Sequence, residues 1–234
     1  MMSVVSTRDE SVRMFRSNLL EALSHVHPAA PHLIYVPVIA LALFAGYDWN
    51  VGSGTAIVLF LGGLLAWTFI EYLIHRFVFH VPAEIDHRAA EVVRNLPAQE
   101  PVMPRLGLRE KVYFMMHGVH HFFPNDSRRL VMPPGVSVPL AAGFWVLYTL
   151  LLGMAFGTVF FAGSIAGYLA YDTTHFLVHH RRCRGRWSGF LKKVHMRHHF
   201  LDPEHYYGVS SPLWDFVLGT WRTPQTAGAR GQTG

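Results

Sequence analysis

The fold is decided by an uncharged stretch of 42 residues between Leu130 and Tyr171, which has the sequence LVMPPGVSVPLAAGFWVLYTLLLGMAFGTVFFAGSIAGYLAY. A bilayer-spanning helix needs about 20 mostly apolar residues. The stretch is therefore long enough for two membrane-spanning helices, with a turn between them near Gly153 and Gly157. We predict helices over residues 134–152 and 156–179.

A second apolar stretch lies between Leu33 and Ile70, and Asp48 is its only charged residue. It divides at GYDWN, residues 46–50, a polar and aromatic segment of the kind found at membrane interfaces. We predict helices over residues 33–47 and 52–74. The alternative, a soluble protein with long buried helices, is disfavoured because uncharged runs of this length are rare in globular cores. The chain is thus predicted to be an all-α integral membrane protein with four transmembrane helices.

The composition and the placement of charge agree with this topology. Of the 234 residues, 51% are hydrophobic and 15% are charged, against about 25% charged in soluble domains. The single cysteine, Cys183, excludes an internal disulfide framework and a thiolate-rich zinc module. All 20 Lys and Arg lie in residues 1–32, 75–130 and 173–234, which four spans place on one side of the membrane. The positive-inside rule makes that side cytoplasmic, so the net charge of +5 needs no nucleic-acid partner.

Three regions follow from this topology. We expect an N-terminal cytosolic segment over residues 1–32, a four-helix membrane domain with a cytosolic helical cap over residues 33–222, and a flexible tail over residues 223–234. The first 20 residues carry Asp9 and Glu10 and lack the apolar segment of a cleaved signal peptide. The chain is therefore predicted to be a multi-pass membrane protein with both termini in the cytoplasm.

Sixteen histidines are the unusual feature of the composition, and none lies in residues 33–74 or 131–174. All are therefore expected on the cytoplasmic side. Ten of them fall into four groups with the spacing of metal ligands: His75 and His80; His117, His120 and His121; His175 and His179; and His195, His198 and His199. We interpret the other histidines His25, His27, His32, His87 and His205 as structural, and the role of His180 is left open.

Helical geometry relates the members of each group. Residues three and four apart share a helix face, so each His-x-x-His-His triplet is expected to converge on one point. His75 and His80 are about 140° apart on an ideal helix, so they converge only if the helix breaks or if the ion lies between two elements. One ion takes about four to six ligands, so ten imidazoles predict two ions close together. All-imidazole ligation suits zinc, copper, iron or nickel and argues against calcium or magnesium.

Three carboxylates are candidates for orienting the imidazole rings. Glu71 lies one helical turn before His75, and Asp172 lies three residues before His175. An ionised group at the end of an apolar helix is costly without a partner, and carboxylates commonly bind the non-ligating nitrogen of a metal-bound histidine. Asp126 is a weaker candidate, because it is equally explained as a turn residue.

The order of these groups resembles the fatty acid hydroxylase superfamily, and most of all the fatty acid 2-hydroxylases. The matching segments, which extend over about Val51 to Thr220, are EYLIHRFVFH (71–80), HGVHH (117–121), RLVMPP (129–134), YDTTH (171–175), HMRHHF (195–200) and YGVSSPLWD (207–215). The resemblance implies a four-helix anchor under a cytosolic cap, with the ten histidines as ligands of a dimetal centre. It implies iron as the working metal, with zinc able to occupy the site in purified protein.

The resemblance also implies the reaction, an O₂-dependent hydroxylation of a fatty acid or fatty-acyl lipid by a membrane-bound oxidoreductase of the monooxygenase type. An unactivated C–H bond has no acidic proton and no leaving group, so a redox metal and O₂ are required. Eukaryotic members often carry a cytochrome b5 domain that does not fit in residues 1–32. Electrons are therefore expected from a separate cytochrome b5-like protein, ferredoxin or reductase.

Two alternatives stay open at this point. The first is a sterol or carotenoid hydroxylase or desaturase of the same superfamily. The second is a histidine-rich metal transporter or sensor, which the absence of histidine from the apolar spans disfavours.

Substrate-binding residues are not identified by the sequence. Six phenylalanines near the ligands could line an acyl channel or simply pack in the cap: Phe77, Phe79, Phe114, Phe122, Phe123 and Phe176. Four arginines could bind a headgroup or set the topology: Arg181, Arg182, Arg184 and Arg186.

Overall fold

The protein is described by a computed structural model over residues 4–97 and 99–222. This part of the chain is helical and contains no strand. Its α-helices are α1 Asn18–Ser24, α2 Ala30–Asp48, α3 Ser53–Leu73, α4 Ala83–Arg94, α5 Leu108–Tyr113, α6 Val119–Phe122, α7 Pro134–Leu152, α8 Met154–His180, α9 Arg186–Phe200 and α10 Leu213–Val217. Two π-helices, Ile74–Phe79 and Phe114–Gly118, and a 3₁₀ turn, Met103–Arg105, complete the set. The predicted tail over residues 223–234 lies outside the described residues.

Four helices are long and apolar enough to cross a membrane, and they confirm the predicted spans: Ala30–Asp48, Ser53–Phe79, Pro134–Leu152 and Met154–His180. The first span begins at Ala30 rather than at residue 33, so His32 lies in its first turn and not before it. Pro31 permits the earlier start, because a proline in the first turn has no N–H that would go unpaired. The fourth span begins at Met154 because Gly153, at φ 81°, makes the turn almost alone.

Helix α8 is the centre of the membrane bundle, and α2, α3 and α7 all pack against it. Gly63 and Gly163 allow the closest approach, because a Cβ on Gly163 would lie 1.9 Å from the carbonyl oxygen of Phe60. Small residues at such contacts let two membrane helices bring their backbones together. Gly63 faces Phe160 and Gly167 faces Trp67, so α3 and α8 run parallel and both end at the same side of the bundle.

The cap, which comprises residues 4–29, 80–97, 99–133 and 181–222, lies at the side of the bundle where α3 and α8 end. The α2–α3 and α7–α8 turns lie at the opposite side, since each joins two antiparallel spans. The cap has its own apolar core, formed by Met14, Ile85, Ala89, Val93, Phe114, Phe122 and their neighbours.

The N-terminal segment is part of the cap rather than a separate unit. The N–H of Val5 donates to the carbonyl oxygen of Phe122 at 2.9 Å, and the N–H of Val102 donates to that of Arg13 at 2.9 Å. Met14 is buried in the cap core. The segment thereby covers α6, which carries two of the candidate ligands.

Candidate metal centre

The ten candidate histidines come together in two groups of five. In each group every residue offers one ring nitrogen, and these nitrogens all lie within 4.8 Å of one another. Site A consists of His75, His80, His117, His121 and His198, and site B consists of His120, His175, His179, His195 and His199. All are buried except His80, which is partly exposed. The ten histidines singled out in the sequence therefore lie close together in the structure, in two groups of five.

A π-helix brings His75 and His80 to the same site. Helix α3 continues as a π-helix from Ile74 to Phe79, where hydrogen bonds connect residues five apart. Residues five apart then lie on one side of the helix, which an α-helix does not allow. Of the two conditions expected for these histidines, the structure shows the first: the regular α-helix ends at Leu73, and a wider π-helix follows it.

The two His-x-x-His-His triplets do not each converge on one point, so this expectation was wrong. His117 and His121 belong to site A, whereas His120 belongs to site B. In the second triplet His195 and His199 belong to site B, and His198 belongs to site A. Residues four apart are rotated by roughly 40° on a helix and consecutive residues by roughly 100°. Each helix lies between the two sites, so the pair four apart faces one site and the third histidine faces the other.

The spacing of the ring nitrogens fits one ion in each site. In site A the Nε2 atoms of His80 and His198 are 3.0 Å apart. In site B the Nε2 atom of His120 lies 3.0 Å from that of His175, and the Nε2 atoms of His179 and His195 are 2.9 Å apart. An ion with metal–nitrogen bonds of about 2.1 Å brings two neighbouring ligand nitrogens to roughly 3 Å of each other.

Burial keeps the imidazoles outside the spans neutral. It lowers the pKa of His117, His120 and His121 well below the usual value, and neighbouring histidines add to the effect. Burial, followed by the proximity of His75, lowers the pKa of His80 to about 2. A neutral ring has a free nitrogen lone pair, which is the form that binds a metal ion.

Two main-chain carbonyls set the tautomers of two rings in site A. Nδ1 of His75 lies 2.5 Å from the carbonyl oxygen of Tyr207, and Nδ1 of His198 lies 2.7 Å from that of His205. A carbonyl only accepts hydrogen bonds, so both rings carry their proton on Nδ1 and direct the Nε2 lone pair into the site. Nε2 of His75 is buried and has no hydrogen-bond partner within the described part of the chain. Such an atom fits a metal ion.

Comparison with known proteins assigns the chain to a family. The model of the fatty acid hydroxylase family matches residues 60–220. The chain belongs to the fatty acid hydroxylase family. A solved structure described as full-length scs7p, with only the hydroxylase domain visible, matches this chain with a TM-score of 0.75 and 33% identity, over 89% of this chain and 72% of that chain.

Three curated relatives carry related names. The ceramide very long chain fatty acid hydroxylase scs7 of Schizosaccharomyces pombe is 34% identical, over 87% of this chain and 53% of that protein. The mouse fatty acid 2-hydroxylase is 32% identical, over 89% of this chain and 56% of that protein. The dihydroceramide fatty acyl 2-hydroxylase FAH2 of Arabidopsis thaliana is 32% identical, over 90% of this chain and 80% of that protein. The chain thus spans about half the length of the fungal and mouse relatives.

Glu71 does not contact a ligand ring directly, in contrast to the expectation from sequence. Its carboxylate accepts hydrogen bonds from the N–H groups of Val209 and Ser210 at 2.7 and 2.9 Å, and from the Ser210 hydroxyl at 2.5 Å. The same loop supplies the Tyr207 carbonyl to His75. Glu71 therefore contacts the loop that supplies this carbonyl and not the ring of His75.

The other two carboxylates also have partners outside the ligand set. Asp172 accepts a hydrogen bond from the hydroxyl of Tyr168 at 3.1 Å, one turn earlier in α8. Asp126 accepts from the Ser11 hydroxyl at 2.7 Å and from the N–H of Arg128 at 3.0 Å. The expectation that Asp126 orients a ligand is corrected: in the fatty acid hydroxylase fold it joins the N-terminal segment to the turn after α6.

The remaining histidines lie outside both sites, as the sequence predicted for five of them: His25, His27, His32, His87 and His205. His180 is also outside, and its ring lies 4.6 Å from that of Phe176. His205 contributes its backbone carbonyl to His198, and no sequence pattern could reveal this contact, since every residue carries the same group.

The structure shows where the phenylalanines and arginines considered for substrate binding lie. Phe114, Phe122 and Phe123 are buried in the apolar core of the cap, so packing accounts for them. Phe79 stacks on the ring of His117 at 4.7 Å and helps to hold it in place. The side chains of the four arginines between residues 181 and 186 are exposed.

Proposed function

We propose that the protein hydroxylates the carbon next to the carbonyl of a fatty-acyl chain, in a free fatty acid or in a ceramide-type lipid. The names of the relatives support this substrate class, since they include fatty acid 2-hydroxylase and ceramide very long chain fatty acid hydroxylase. The reaction consumes the acyl chain, O₂, two electrons and two protons. It forms one C–OH bond in place of a C–H bond and releases one molecule of water.

The observation that carries the proposal is the pair of all-imidazole sites at one end of four apolar spans. We propose that the five histidines of site A hold one metal ion and the five of site B hold a second. When bound, a redox-active pair such as iron supplies the O₂ activation that an unactivated C–H bond requires. Zinc fits the same nitrogen donors but has no redox chemistry, so we propose iron as the working metal.

The surrounding side chains keep the imidazole ligands uncharged and away from bulk water. Neutral imidazoles would hold the ions without compensating their positive charge. The candidate ligands come from α6, α8, α9, the two π-helices and the residue that follows the first π-helix, so the relative positions of two bound ions would depend on packing between the spans and the cap. Burial of nine of the ten rings excludes bulk water from the ligand nitrogens.

The placement of the sites relative to the membrane suits a lipid substrate. His75, His175 and His179 lie in the last turns of helices that continue directly from the apolar spans. An acyl chain can therefore reach the ions without leaving the bilayer surface. We propose that this surface is cytoplasmic, because every Lys and Arg lies on the cap side of the spans. A separate cytosolic electron donor, such as a cytochrome b5-like protein, a ferredoxin or a reductase, then has access to the cap.

Expression in a host that lacks 2-hydroxy fatty acids tests the proposal. With iron and an electron donor supplied, lipid mass spectrometry should detect 2-hydroxy acyl lipids with the chain and none with a His120→Ala variant. A His25→Ala variant, altered outside both sites, should retain the product. A hydroxylated carotenoid or an altered sterol without 2-hydroxy acids would reject the proposed substrate class, and no oxidised lipid at all would reject the activity.

A further inference from the structure

The loop His205–Ser210 is held by two buried carboxylates that bind four consecutive backbone amides. Asp215 accepts hydrogen bonds from the N–H groups of Tyr207 and Gly208, both at 2.8 Å. Glu71 accepts from the next two N–H groups, those of Val209 and Ser210. Glu71 lies at the end of a membrane span and Asp215 in the cap, so the loop ties the two parts of the molecule together.

The backbone of this loop has an unusual conformation next to site A. Tyr206 has φ 64°, in the left-handed region that residues with a side chain seldom adopt. The carbonyls on either side of it, those of His205 and Tyr207, are the two that accept hydrogen bonds from His198 and His75. Tyr206 is itself fixed, because its N–H donates to the carbonyl oxygen of Thr220 and its hydroxyl donates to that of Arg222.

The rings of site B lack comparable hydrogen bonds to backbone carbonyls within the described part of the chain. The Nδ1 atoms of His175, His179, His195 and His199 are buried and have no hydrogen-bond partner among residues 4–97 and 99–222. In site A the same is true of His121 alone. A hydrogen bond from Nδ1 to a carbonyl fixes the tautomer and orientation of a ligand ring and raises its basicity. The two sites, alike in ligand type and number, therefore differ in how well their rings are held before an ion arrives.

We propose that Glu71, Asp215 and Tyr206 are positioning residues for site A, and that site A consequently holds its metal ion more tightly than site B. The inference rests on the proposed function, because it takes both sites as metal-binding. It goes further in making the two ions inequivalent: one is retained, and the other exchanges.

Titration of the purified, metal-free protein in detergent with Co²⁺ tests the inference, because the d–d absorption of each ion reports its surroundings. The wild type should fill one site before the other. Glu71→Gln keeps the size of the side chain but places an N–H₂ group among N–H donors. It should therefore lower the affinity of one site for Co²⁺ by about 10–100-fold, the usual effect of losing a group that orients a metal ligand. Asp86→Asn is the matched control, since Asp86 is a buried carboxylate that accepts from Tyr113 and does not touch the loop.

Variants of the two sites identify which ion is affected. When His179→Ala disables site B, the addition of Glu71→Gln should lower the affinity of site A for Co²⁺. With site A disabled by His75→Ala, the addition of Glu71→Gln should change nothing. An equal loss of Co²⁺ affinity at both sites, or equal effects of Glu71→Gln and Asp86→Asn on that affinity, would overturn the inference. A wild type that binds no Co²⁺ would instead reject the metal sites of the proposed function.

A second pair of variants separates the effect of the Tyr206 backbone conformation from that of its side-chain packing. It tests the inference even if Glu71→Gln does not fold. Tyr206→Asn and Tyr206→Val both remove the ring, but asparagine tolerates the left-handed region and valine does not. The valine variant should bind Co²⁺ at site A at least 10-fold more weakly than the asparagine variant, with site B equal in both. Equal affinities at site A would show that only the packing of the ring matters.

Discussion

His120 and His121 are consecutive in the chain, yet their rings face different sites. Nε2 of His121 lies 2.7 Å from that of His117 in site A, and Nε2 of His120 lies 3.0 Å from that of His175 in site B. A single turn of helix therefore forms the wall between the two proposed ions. Movement of this turn displaces ligands of both sites at once, which couples the geometry of one site to that of the other.

The division of each triplet predicts selective loss of one ion. His121→Ala should remove the ion of site A, and His120→Ala that of site B, so each variant should retain about one ion per chain. His198→Ala should behave like His121→Ala. All three should lose activity, because the reaction needs both ions. Metal analysis of the purified variants checks this, and His25→Ala should retain two ions. Loss of both ions, or of neither, in the single variants would contradict the division.

The neutral histidines predict a stability that depends on pH. Since burial lowers their pKa in the folded, metal-free protein, unfolding exposes rings that take up protons below about pH 6.5. The metal-free protein should therefore be stable above pH 6.5 and lose stability as the pH falls, by up to about 1.4 kcal/mol per pH unit for each such ring. Thermal unfolding between pH 8 and pH 5 measures this. An unfolding midpoint that is constant over this range would contradict it.

Arg129 should be critical for the attachment of the N-terminal segment. Its side chain is 3% exposed and forms an ion pair with Glu21 at 2.5 Å. It also donates to the carbonyl oxygen of Val12 and to the Ser24 hydroxyl. Arg129→Met leaves the Glu21 carboxylate without its cation, so the free energy of unfolding should fall by about 3 kcal/mol. Arg128→Met, at the exposed neighbouring position, should have little effect in the same chemical denaturation experiment. Equal effects of the two would refute the role of the ion pair.

The close approach of α3 and α8 predicts strict size limits at Gly163. A Cβ at this position meets the backbone of Phe60, which cannot move away as a flexible side chain can. Gly163→Ala should therefore lower the fraction of protein that is monodisperse in detergent. Gly143→Ala in α7, where the added Cβ meets nothing within 4 Å, should be neutral or stabilising by up to about 1 kcal/mol. Gel filtration compares the two, and normal folding of Gly163→Ala would show that the helices can separate.

The proposed chemistry predicts that metal content and activity can be separated. Protein loaded with zinc should be fully folded and should hold two ions, but it should form no hydroxylated lipid, because zinc has no accessible redox change. Removal of zinc and loading with iron should restore the product when electrons and O₂ are supplied. Lipid mass spectrometry alongside metal analysis measures both. Hydroxylation by protein that contains only zinc would contradict the redox mechanism.

The four spans and the ten histidines could be predicted from the sequence, for a simple physical reason. Charged side chains are costly in hydrocarbon, so the absence of charge over residues 130–171, and the single charge of Asp48 over residues 33–70, predict the membrane spans directly. Histidines four residues apart share a helix face, so the pairs His117–His121, His175–His179 and His195–His199 could be predicted from their spacing. The His75–His80 spacing indicated that the two rings could share an ion only if the helix broke or if the ion lay between two elements.

Only the tertiary structure determined how the ten histidines divide between the two sites. Which site a histidine faces depends on where its helix lies relative to the two sites, and the division between His120 and His121 is set by the packing of α6 between the end of α8 and the π-helix that follows α3. Glu71 is bound to Val209 and Ser210, more than 130 residues away, and the rings of His75 and His198 are oriented by main-chain carbonyls. Local spacing is a property of the helix and can be read from the chain, whereas contacts between distant segments and hydrogen bonds to the backbone exist only once the chain has folded.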